Sequence, residues 1–229
     1  MRLMYADQNP LLHPWHLRNT VVRHHQWFDN LTELHRITLS WPETTPESLQ
    51  KLSPPEDIAP FMGYLPILAE SEPKLESILR ERWPDPLLSQ LEKLVHWVQD
   101  ERLGELIKKK PDWKAINEAA DRLGHQSAVK RWPKFVETQP DLRQILLMLE
   151  ETPFSGYPHS QGILVKRALT NEACIDLLAC PGANQPELCA IYQRWIHGFI
   201  SAFDARIQID AKINSPGQGC TQTWQRDHR

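Results

Sequence analysis

The chain has 229 residues, 41% of them hydrophobic, enough to bury a sizeable core as one large or two small domains. With 26 basic against 29 acidic side chains its net charge is -3, which gives no global electrostatic reason to expect nucleic acid or a membrane as partner. No apolar run reaches the roughly 18 residues of a membrane span, and the first residues lack a signal-peptide core, so the chain is expected in the cytoplasm with its four cysteines as thiols.

Charge is unevenly placed. Between Trp41 and Asp85 stand nine acids and four bases, and between Glu101 and Lys134 nine bases and five acids. Solvated helix faces account for this, and a docking surface for an oppositely charged partner is the sharper alternative.

Residues 1–40 are rich in aromatic and histidine side chains: His13, Trp15, His16, His24, His25, Trp27, Phe28 and His35. The spacing of Trp27, Phe28, Leu31 and Leu34 predicts a helix from about His24 to Leu34. The adjacent pair His24 and His25 point apart, and Pro14 separates His13 from His16, so surface or capping histidines are favoured over a metal site.

From Trp41 to Pro153 short helices follow one another, punctuated by proline and then an acid, as at Pro42-Glu43, Pro46-Glu47, Pro55-Glu56, Pro111-Asp112 and Pro140-Asp141. Proline tolerates a first helical turn because its missing N–H would be unpaired there, and an acid favours the positive end of the helix dipole. A long helix is predicted from Pro86 to Lys109, weakened by Gly104. A second starts at Trp113 and is closed by Gly124 as a cap, and a third runs from Asp141 to about Glu151.

The segment from Thr152 to Gly162 has glycine, proline and serine without periodicity and reads as a loop, placing a boundary between a helical region, 1–153, and a small α+β domain, 154–229; one continuous globular unit is the alternative. Two short apolar runs, Gly162 to Leu169 and Ala173 to Cys180, read as a hairpin about Thr170, Asn171 and Glu172. A helix from Pro186 to Phe203 carries the strongest apolar face of the chain, with Leu188, Tyr192, Trp195, Ile196, Phe199 and Phe203 at helical spacing. Cys189 lies at the edge of that face, and the interior Gly198 suggests a close approach by another backbone or by a ligand. The run Arg206 to Lys212 alternates as a half-buried strand does; 214–219 turn the chain, and Cys220 to Trp224 reads as a last strand. The fold class expected is α+β, mostly helical, with a small antiparallel sheet and a packed helix.

A hairpin, then Cys189, Gly198 and Phe199 on a helix, then Asp210 on a strand, a turn at Gly217 and a closing Cys220 together resemble the 4-vinyl reductase domain and the related-looking carboxy-terminal part of the aminothiazoline-carboxylate hydrolase family, over about residues 155–224. The resemblance implies an apolar pocket for a small aromatic or tetrapyrrole-like molecule, beside a site where Cys189, Asp210 and Cys220 would hold zinc. Ile213 stands where the family has a further cysteine, and an aspartate replaces its usual glutamate. With the pocket placed between the Pro186–Phe203 helix and the sheet, its ligand-facing candidates are Trp195, His197, Gly198, Phe199, Tyr157 and His159. Three function classes follow: a small-ligand-binding protein, an accessory protein docking a protein partner through its helical region, and a hydrolase- or reductase-like enzyme using Cys189, Cys220 or His159. No nucleophile motif identifies a catalytic residue.

Overall fold

A computed structural model describes residues 20–70, 85–153, 163–177, 185–213 and 220–227. The fold is mostly helical α+β, with one small four-stranded antiparallel sheet among the described residues. None of its described helices is long and apolar enough to cross a membrane. The chain divides into two compact units, one covering Thr20–Trp113 and one containing the described residues from Lys114 onward. That division falls inside the stretch read from the sequence as a single helical region.

The first unit is built on α1 (Thr20–Leu39), α2 (Pro46–Leu49), a 3-10 turn (Ala59–Tyr64), α3 (Leu65–Ala69) and α4 (Asp85–Lys109). Helix α1 packs along α4 and α3, and it outruns the predicted 24–34 segment at both ends. Trp27, Phe28, Leu31, Leu34 and Ile37 are buried on α1, and Leu88, Leu91, Leu94, Val95 and Val98 on α4. Buried polar groups are tied to this frame. Gln99 Nε2 donates to the Leu34 carbonyl at 3.2 Å, and the Arg102 guanidinium donates to Thr44 Oγ1 at 3.1 and 3.2 Å. The proline-acid rule holds where the acid can reach an N-terminus: Pro46 opens α2, Pro186 opens α8 (Pro186–Ser201), and Asp141 caps the helix that follows it. It fails at Pro42-Glu43, where Glu43 takes a left-handed φ of 56° in a turn.

The second unit carries α5 (Trp113–Arg131), α6 (Pro133–Thr138), α7 (Leu142–Glu150), β1 (Ile163–Ala168), β2 (Glu172–Leu177), α8, β3 (Ile207–Ile213) and β4 (Cys220–Arg226). The strands lie in the order β1-β2-β4-β3, all neighbours antiparallel. The alternation read at 206–212 and the hairpin about 170–172 are thus present, with β1 and β2 trimmed relative to the predicted runs. Because opposed residues share a face, the register fixes two sides. Ala173, Ile175, Ile207, Cys220, Gln222 and Trp224 occupy one side and are buried. Helix α7 lies against β1 and β2, and α8 against β3. The other side carries Cys174, Asp176, Gln208, Asp210, Lys212, Thr221 and Thr223, partly or largely exposed apart from Asp176. There Asp176 accepts from Thr221 Oγ1 at 2.6 Å and pairs with Lys166 Nζ at 2.7 Å.

One sequence expectation is reversed here. Gly124 does not end α5, which continues to Arg131. A Cβ at Gly124 would lie 2.0 Å from the Trp195 carbonyl oxygen, and one at Gly198 would lie 1.9 Å from the Asp121 carbonyl oxygen. The two glycines therefore let α5 and α8 cross backbone to backbone, closer than any side chain permits.

Candidate functional site

The residues expected to face a ligand are used in that crossing. Trp195 and Phe199 are both 0% exposed and stack on one another at 5.3 Å, while Phe199 also meets Trp132 and Phe203 edge-on at 5.6 and 5.3 Å. Gly198 lies against the backbone of Asp121, so the close approach its position suggested is made by protein. His197 is exposed, with Nδ1 2.7 Å from Asp121 Oδ1, on the outside of the same junction. The Trp195 and Phe199 rings are thus packed within protein, and the His197 side chain links α8 to Asp121 of α5. Tyr157 and His159 lie outside the described residues.

The candidate zinc ligands are likewise divided by the pleat. Cys220 is paired with Leu177 and Ile213 across the ladder and is buried. Asp210 pairs with Thr223, three residues along both strands, which places it on the opposite, exposed side. Cys189, buried near the start of α8, is close enough to Cys220 that charge on one raises the pKa of the other. Among the described residues no three His, Cys, Asp or Glu side chains are gathered in a metal-holding group. Asp210 thus cannot complete a site with Cys189 and Cys220, and two thiols alone fall short of the usual four zinc ligands.

Nor is the Cys220 thiol poised as a nucleophile. Burial pushes the Cys220 thiol up to about 11, the nearby Cys189 and Asp176 adding to the rise and a contact from Gln222 Nε2 offsetting part of it. A thiol with so high a pKa is almost wholly protonated at neutral pH. Gln222 also accepts from Trp224 Nε1 at 3.0 Å, and Gln193 Nε2 donates to Cys189 Sγ at 3.4 Å, so the pair sits in a polar seam inside an apolar layer. We expect iodoacetamide at neutral pH to modify Cys174, which is partly exposed, and to reach Cys189 and Cys220 only after denaturation. Peptide mass mapping checks this, and early labelling of Cys220 would contradict it.

A cleft does open elsewhere in the second unit. It measures about 570 Å³ and is lined by the β1–β2 turn, residues 168–172, with Gln225 and Arg226 of β4 and Arg143 of α7. The turn is fixed by Leu169 N–H donating to the Glu172 carbonyl at 2.7 Å and Arg226 N–H donating to the Asn171 carbonyl at 2.9 Å. Arg226 is clamped from behind: Nη2 donates to the Pro140 carbonyl at 2.6 Å, and Nε lies 3.0 Å from Asp204 Oδ2. Hydrogen bonding from Arg206 holds the buried Asp204 carboxyl below its ordinary range despite burial, and Arg226 adds to the effect. Arg143 is braced by Asp141 Oδ2 at 2.7 and 3.2 Å from Nη2 and Nε. Only the turn had a local sequence signal. Arg143 and Arg226 are isolated in the chain, and the strand order and the α7 cap bring them to one cleft. Comparison of the chain with known protein families, with characterised proteins and with solved structures found no match.

Proposed function

We propose that the unit from Lys114 onward is a small-ligand-binding module of a cytoplasmic protein, and that its ligand is a small aromatic or tetrapyrrole-like molecule. The cleft at the β1–β2 turn carries this reading: at about 570 Å³ it has the size of small-molecule sites, and its walls are pinned by backbone hydrogen bonds. The aromatic character of the ligand is supported by the resemblance of residues 155–224 to the 4-vinyl reductase domain. Binding is favoured over thiol chemistry because Cys189 and Cys220 are buried and Cys220 is held protonated. The site differs from the pocket first expected beneath α8, where Trp195 and Phe199 already fill the space with protein.

Native mass spectrometry of the whole protein, after incubation with a panel of porphyrins and aromatic carboxylic acids, tests the reading. One molecule bound per chain, released on denaturation, is the expected result. A chain that stays at its own 26.7 kDa against the entire panel would sink it.

A further inference from the structure

Resting on that reading, we propose that the cleft takes its ligand by a carboxylate, held between Arg143 and Arg226, with the apolar body of the molecule lying on Leu169. Two guanidiniums line the cleft against a single acid, Glu172, which is itself paired with Arg167 at 3.0 Å. The acids behind the arginines, Asp141 and Asp204, are engaged by them and kept ionised, so they orient the guanidiniums. Those contacts use Nε and Nη2 of each arginine and leave both Nη1 groups outside them. A guanidinium held at one edge presents the rest of its planar fork in a fixed direction, the geometry that suits a carboxylate oxygen.

Leu169 supplies the second half of the recognition. It sits in the cleft lining and is 48% exposed, so its side chain offers an apolar surface to a molecule held by the arginines. With Ala168 beside it, the cleft has an apolar wall next to a cationic one. A small acid with an aromatic or aliphatic body fits both; a bare inorganic anion would use only the arginines.

Titration of the full-length, nitrogen-15-labelled protein with sodium benzoate, benzamide and inorganic phosphate separates these possibilities by nuclear magnetic resonance. Benzoate is expected to shift the amides of residues 168–172 and the Nε–H signals of Arg143 and Arg226, and benzamide to leave them in place. Arg143→Gln should weaken benzoate binding about tenfold. It leaves the Asp141 cap on Gln144 intact, so the variant is expected to fold. Leu169→Ser should weaken benzoate and leave phosphate unaffected. Equal shifts from benzoate and benzamide would overturn the carboxylate while the binding module stands. Phosphate matching benzoate on the same signals would overturn the apolar half. Binding in the mass spectrometer with no benzoate shift in the cleft would overturn the location alone.

Discussion

Gly198→Ala is expected to destabilise the second unit by about 3 kcal/mol, lowering its melting temperature by ~10 °C, although alanine is the better helix former by about 1 kcal/mol. The reason is geometric. The added methyl would sit 1.9 Å from the Asp121 carbonyl oxygen and 2.9 Å from its Cα, and a backbone cannot swing aside as a side-chain tip can. Gly124→Ala should behave alike, its methyl falling 2.0 Å from the Trp195 carbonyl oxygen. Because both substitutions open one crossing, the double variant should cost less than the two added together. Gly104→Ala is the control: it lies in the interior of α4 with nothing within 4 Å of its Cβ position, so it should stabilise the first unit by about 1 kcal/mol. Calorimetry of the four variants reads all of this. If Gly198→Ala were as stable as the parent, α5 and α8 would not cross where described.

The contrast between these glycines also shows which parts of the molecule could be read from the chain. The stripe on α8 and the alternation on β3 are local periodicities, and both elements stand within two residues of their predicted ends. Gly124 has the same signature whether it caps a helix or admits another one, and the deciding atom, the Trp195 carbonyl, is 71 positions away. An aromatic face such as Trp195 and Phe199 records only that something apolar covers it. Here Trp132 and Phe203 pack edge-on against Phe199. The Cys189, Asp210 and Cys220 set fails through pleat parity, which is undefined until the pairing of Ile213 with Cys220 and Asp210 with Thr223 is known. Arg143 and Arg226 carry no mutual spacing at all, since a capped helix and a strand ladder meet to make their cleft.

Acidification should destabilise the first unit before it protonates the paired carboxylates of the second. His35 is fully buried on α1, and burial brings its pKa down to about 4, the backbone of Leu65 offsetting part of the fall. The unfolded chain binds that proton with a pKa near 6.5, so between the two values the unfolded state carries more protons than the folded one. Stability from this group is therefore fully present above about pH 6.5 and lost progressively as pH falls toward about 4, in total about 3 kcal/mol. His96 on α4 moves the same way, chiefly by burial, with Asp100 and Gln99 opposing. Asp141, Asp176 and Asp204, all with lowered pKa values, give up their contribution only at lower pH. Urea titrations at about pH 7 and about pH 4.5 should show the parent losing most of that stability, and His35→Leu, which has no proton to take up, losing much less. An identical acid loss in parent and variant would show that His35 is not the group responsible.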